Sequence, residues 1–96
     1  KPITIGLVIE ANHIVGLHIL AFRESRGGEI RYPFFTNQFK GLSLKSNQEL
    51  DGMVDGITGA TLSVRAVKRI ASFALYLERN HLEETLANTA APSMTR

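Results

Sequence analysis

No cysteine occurs in the 96 residues. That excludes disulfides, thiolate nucleophiles, zinc ribbons and iron–sulfur ligation together. It also leaves the chain untroubled by an oxidising compartment. There is no tryptophan, and the aromatics are five Phe and two Tyr. None of them falls in the alternating basic and aromatic stripe that stacks nucleic-acid bases. No apolar run approaches the roughly 20 residues that span a bilayer. Charge of one sign is scarce too: eleven Lys and Arg against nine Asp and Glu leave a formal +2. That is too little to argue for nucleic acid. The histidines, His13, His18 and His81, are too widely spaced for a helical metal pair. No metal site is expected.

What remains is ordinary globular material, 44% hydrophobic and 21% charged, in a length that suits one small domain. The chain opens at Lys1 without Met and is strand-like by residue 3. It reads as a trimmed or mature piece, from which a signal peptide, anchor or neighbouring domain would have been removed. Residues 88–96 (NTAAPSMTR) are small, polar and Pro-containing, the composition of a flexible tail or linker. The predicted domain therefore covers residues 1–87.

Residues 3–10 (ITIGLVIE) and 14–22 (IVGLHILAF) are β-branched and apolar, with Ala11-Asn12-His13 between them. This pattern predicts an antiparallel hairpin. In the second strand both alternating faces are apolar, which predicts cover on both sides, with His18 as a core histidine. Residues 23–31 (RESRGGEIR) form a charged loop with a Gly-Gly pair. Thr36 is placed to cap a single helical turn closed by Gly41. Short strands are expected at 42–44 and 50–54. From Thr61 to about Arg79, apolar positions Val64, Val67, Ile70, Ala71, Ala74 and Leu77 recur at helical spacing, widened by Ala66 and Phe73. Arg65, Lys68, Arg69, Ser72, Tyr76 and Arg79 take the other side, giving an amphipathic helix. Asn80 is a candidate end for it, with a second short helix at 81–87. The predicted class is α+β: a small antiparallel sheet with one main amphipathic helix packed against it.

The chemistry concentrates in Asp55-Gly56-Ile57-Thr58-Gly59-Ala60-Thr61. Two glycines, two threonines and a small Ala just before a helix can present backbone N–H groups to an anion, helped by the helix dipole. The simpler alternative is that Thr58 or Thr61 caps the helix and nothing binds. The segment is neither a P-loop nor a dinucleotide fingerprint.

D-G-I-T-G-A-T-L-S resembles the D-x-x-(S/T)-G-A-T signature of the FMN-binding domain family. Upstream, Glu24-Ser25-Arg26-Gly27-Gly28 is similar to the family's E-T-P-G-like loop, and Gln38-Phe39-Lys40-Gly41 to its Q-F-x-G-like segment. The likeness spans roughly residues 3–79. Ser25 and Arg26 replace the family's usual Thr and Pro.

The resemblance implies a domain that binds FMN, attached by a phosphoester to the hydroxyl of Thr61. A separate flavin transferase would make that bond from FAD outside the cytoplasm. Asp55, Thr58, Gly59, Ala60 and Ser63 match the rest of the signature, and Glu24 and Ser25 the first loop. These, with Thr61, are the expected cofactor-binding residues. Such domains serve in extracytoplasmic electron-transfer chains or as modules of larger reductases. Partner proteins would donate and accept electrons, and the full protein could be membrane-associated. The chain shows no substrate-processing residues of its own. Two rivals stay open at this point: reversible FMN binding, and a non-redox module whose Gly/Thr turn is only a cap. Phe34, Phe35 and Phe39 could pack an isoalloxazine ring or simply form core. Arg65, Lys68 and Arg69 oppose the helix dipole and mark either an anion or a solvated face.

Overall fold

The computed structural model describes residues 3–22 and 28–90, with side chains as far as residue 81. Strand β1 (Ile3–Glu10) pairs antiparallel with β2 (His13–Phe22). The turn between them is only two residues. Ala11 and Asn12 both hold positive φ, 51° and 66°, the type I′ geometry that matches the twist of a hairpin.

The ladder carries two irregularities. Val8 pairs with Gly16 and Ile9 with Ile14, so Val15 is an extra residue; Thr4 pairs with Ala21 and Ile5 with Ile19, so Leu20 is another. Each bulge shifts the side-chain alternation by one. That is how Ile14, Leu17 and Ile19, and then Phe22, all reach the core side, although strict alternation would divide them. The expectation of cover on both faces is overturned. Val8, Val15 and Leu20 are exposed on the outer face, and His18 is exposed with them rather than in the core. One helix can cover only one side of a two-stranded sheet.

After a 3-10 turn at Gly28–Arg31 comes a short helix α1 (Pro33–Thr36), then a second 3-10 turn at Asn37–Phe39. Pro33 starts α1, with its fixed φ and missing donor suited to that place. Thr36 lies inside the helix, buried, and its hydroxyl donates to the Tyr32 carbonyl at 3.4 Å, so it is not the cap that was expected. Gly41, at φ +85°, closes the segment. The chain then runs beside β2, with the Ile14 N–H bonded to the Leu42 carbonyl at 2.9 Å and the Gly41 N–H to the Ile14 carbonyl at 2.7 Å. The strands expected at 42–44 and 50–54 reduce to one isolated bridge, Leu44 with Leu50.

Helix α2 (Thr61–Ala90) is one continuous helix of 30 residues. Asn80 does not end it, and residues 81–87 are its continuation. It also takes in residues 88–90 of the segment expected as tail. Its buried stripe is Val64, Val67, Ala71 and Leu75. This stripe is rotated from the expected one: Leu75 belongs to it, while Ile70, Phe73 and Leu77 are exposed. Arg79 was expected on the solvent side, but its guanidinium donates to the Leu44 carbonyl at 3.0 Å. The core joins this stripe to Ile14, Leu17, Ile30, Phe35, Phe39, Leu44 and Val54. The class is α+β, as expected. No described helix is long and apolar enough to cross a membrane.

The rotation gives a direct test. Leu75 is 2% exposed and Leu77 49%. Leu75→Ala should cost about 2–4 kcal/mol in urea unfolding, whereas Leu77→Ala should cost less than about 1 kcal/mol. The reverse order would put the sequence-derived stripe back in the core.

Candidate functional site

The site is built around the start of α2. Val54 is buried and Ile57 packs against the core, so the signature segment is pinned at two points before the helix begins. The Ala60 N–H bonds to the Ile57 carbonyl at 2.9 Å, closing a β-turn. Gly59, third in that turn, has φ +86°, while Thr58 is not among the positive-φ residues. That is a type II turn, which needs glycine at its third position. Any other residue at 59 would be strained.

The Ala60 carbonyl accepts from the Val64 N–H at 2.9 Å. Ala60 is therefore the N-cap and Thr61 the first helical residue. An alanine side chain cannot cap, and the first turn holds no acidic residue. The early N–H groups of α2 thus have no acceptor from the cap position. The alternative in which Thr61 caps the helix is not what forms. Ala60 is 4% exposed, so a larger residue there would have to displace core. Thr61 itself is exposed, as are Asp55, Gly56, Thr58 and Gly59; Ser63 is half-buried. An uncapped, electropositive helix start whose first residue is an exposed threonine offers donors suited to an anion.

Asp55 opens the segment, and its backbone is held from outside. Its N–H donates to the Gln38 side-chain oxygen at 2.7 Å, and its carbonyl accepts from the Gln38 amide nitrogen at 3.2 Å. Phe34, Gln38, Asp55, Gly56 and Ile57 line an open groove of about 260 Å³. Phe34 is 63% exposed beside it. Phe35 and Phe39 are fully buried and pack edge to face, ring centroids 5.5 Å apart. Of the three phenylalanines, then, two are core and one is free to meet a planar ring.

Helical spacing places Thr61, Arg65, Lys68 and Ser72 on one face of α2. Arg65 and Arg69 are exposed, and Lys68 is half-buried. Lys68, Arg69 and Ser72 line a second open groove with Gln48, Leu50 and Gly52. The structure thus gathers Asp55, Thr58, Gly59, Ala60, Thr61 and Ser63 into one turn and helix start. Glu24 and Ser25 lie outside the described residues. Gln38 and Phe34 were not on the expected list of cofactor-binding residues. Gln38 lies in the Q-F-x-G-like segment, the one sequence feature that pointed towards it.

A family model described as the FMN-binding domain matches residues 1–76, a span holding every one of these residues. No curated protein and no solved structure matches the chain significantly. The matched span covers most of the chain, from the hairpin through the turn at Gly59 and the uncapped helix start to Tyr76. The chain therefore belongs to the FMN-binding domain family, and its cofactor is FMN.

Proposed function

We propose that this domain is an electron carrier whose FMN is bonded through its phosphate to Thr61. The observation that carries the reading is the exposed Thr61 hydroxyl on the first residue of a helix whose cap residue, Ala60, cannot cap. In the attachment step a flavin transferase would use FAD. The Thr61 oxygen forms a bond to the phosphorus of the FMN half and loses its proton. The pyrophosphate bond breaks, and AMP leaves with the electron pair.

The chain's own residues hold and orient. The early N–H groups of α2, which have no acceptor among the described residues, and the helix dipole favour the phosphate's negative charge. Gly59 and Ala60 add no bulk around the hydroxyl, so a modifying enzyme can reach it. Phe34 and Ile57 offer apolar surface in the groove beside the turn. When bound, the flavin supplies one- and two-electron transfer, and the protein supplies position and electrostatics. Attachment of this kind fits an extracytoplasmic setting, with separate proteins to donate and accept electrons.

Thr61→Val keeps the β-branched shape and removes the hydroxyl. Because Thr61 is not the N-cap, the variant should lose less than about 1 kcal/mol of stability. Co-produced with an active flavin transferase, the unmodified sequence should gain the mass of FMN less one water. Thr61→Val should gain nothing, while Thr58→Val and Ser63→Ala should keep at least part of the modification. Covalent flavin on Thr61→Val would move the site elsewhere. Flavin that is bound but lost on denaturation of the unmodified sequence would establish reversible binding instead.

Asp55 supplies a second test. Among the described residues its backbone makes the hydrogen bonds, and its carboxylate is exposed. A free carboxylate six residues before the acceptor hydroxyl can help bind the metal of the transfer step or orient that hydroxyl. Asp55→Asn should fold normally and take up flavin at least about tenfold more slowly, the loss of roughly one charge-assisted contact. An unchanged rate in the intact-mass time course would leave the charge without a part in attachment.

A further inference from the structure

We propose that Gln38 is a positioning residue for flavin attachment: its side-chain amide clamps the backbone of Asp55 and so fixes the loop that presents Thr61. This rests on the reading that Thr61 is the attachment point. Gln38 sits in the 3-10 turn at Asn37–Phe39, between the fully buried Phe35 and Phe39. Its backbone is therefore held firmly by the core. The side chain reaches 17 residues along the chain and makes two bonds with one residue. The Asp55 N–H donates to its oxygen at 2.7 Å, and its nitrogen donates to the Asp55 carbonyl at 3.2 Å.

This is the pairing that a strand residue makes with an antiparallel neighbour, supplied here by a side chain. A primary amide is the group that offers one donor and one acceptor side by side. The same nitrogen also donates to the Phe35 carbonyl at 3.4 Å. Both amide protons are thus engaged within the protein, and they hold the loop rather than reaching for a ligand. From Asp55 the segment has two further restraints before the helix: the packing of Ile57 and the turn from the Ile57 carbonyl to the Ala60 N–H. The clamp sets where that segment starts; the turn sets where it ends, at Thr61. Gln38 does not touch Thr61, so its effect is transmitted through the loop.

The test uses the full chain with a flavin transferase and FAD, reading the initial rate of flavin incorporation by mass. The exchange of the Asp55 amide is read alongside by NMR. Gln38→Met keeps the length of the side chain and removes both bonds. Incorporation should fall about tenfold, and Asp55 amide protection by a similar factor, as expected for two lost hydrogen bonds. The α2 amides at Val67 and Ala71 should keep their protection, which separates a displaced loop from a destabilised domain.

Gln38→Glu provides a rescue. As a carboxylate it still accepts from the Asp55 N–H but faces the Asp55 carbonyl without a donor. Protonated, it regains the donor. A free glutamate titrates at about 4.3, and the facing Asp55 carbonyl favours the protonated form. Relative to the unmodified sequence at each pH, Gln38→Glu should therefore gain severalfold between pH 7.5 and pH 5, while Gln38→Met stays flat. An unchanged incorporation rate in Gln38→Met overturns the proposal. So does Gln38→Glu tracking Gln38→Met at both pH values. If the unmodified sequence takes up no covalent flavin, the Thr61 reading fails first, and the loss of Asp55 protection then shows a clamp that serves only the fold.

Discussion

The fold depends on one contact surface: the Val64, Val67, Ala71 and Leu75 stripe of α2 against the inner face of a two-stranded hairpin. A lone hairpin is marginal in water and needs a packed partner to persist. Here the partner is a single helix, so only one face of the sheet is covered. The bulges at Val15 and Leu20 follow from that economy. They turn Ile14, Leu17, Ile19 and Phe22 to the one side that has a partner, and leave the extra residues on the side that has none. Ile30, Phe35 and Phe39 fill the remaining end of the core. The segment carrying Gln38 is thereby as firmly seated as the helix itself.

That packing also leaves the start of α2 at the surface. The first turn begins in exposed Thr61, is preceded by a non-capping Ala60, and contains no acidic residue. Arg65 follows closely, a cation near the positive end of the dipole. For an isolated helix a non-capping residue at the N-cap costs about 0.5–2 kcal/mol, and the missing acidic residue forgoes about 0.3–1 kcal/mol. A phosphate at the helix start would offset both, because it can accept from the early N–H groups and its charge suits the dipole. Local rules are broken together here, at the helix start where attachment of the cofactor is proposed, and kept through most of the rest of the helix.

The sequence was legible where one residue type has one physical use. β-Branched runs around a short polar turn meant a hairpin, whereas the Gly-Ala-Thr turn before a helix left a plain cap and an anion site both open until the family resemblance was weighed. It was less legible where apolar residues outnumber the places to bury them. On α2, Ile70, Phe73 and Leu77 are as hydrophobic as the residues that are buried, so periodicity alone could not choose the stripe. In β2 the same surplus hid the bulges, since both faces read as apolar and nothing marked Val15 or Leu20 as extra. Gln38 was harder still. Its partner is backbone, 17 residues away, and a backbone partner leaves no trace in residue identity. The helix at 81–87 was legible but the break at Asn80 was not real, because a local breaker signal is weak against continued helix propensity on either side.

Small size and an open groove together give a tether its physical meaning. Among the described residues the groove beside the turn, about 260 Å³, is open to solvent rather than a deep pocket. Phe34 and Ile57 are the large apolar side chains lining it, and Phe34 stands largely in solvent. Non-covalent affinity drawn from such a surface must first offset the lost translational and rotational freedom of the ligand, some 4–15 kcal/mol. The proposed bond to Thr61 would remove that term, because the ring would then meet the surface as an intramolecular partner at an effective concentration in the millimolar range. Weak contacts would suffice to orient it. Under the proposed attachment the demands on the protein would shift from enclosing the cofactor to presenting one hydroxyl accurately. The turn at Gly59, the tight fit of Ala60 and the backbone clamp on Asp55 would all act on that one atom's position.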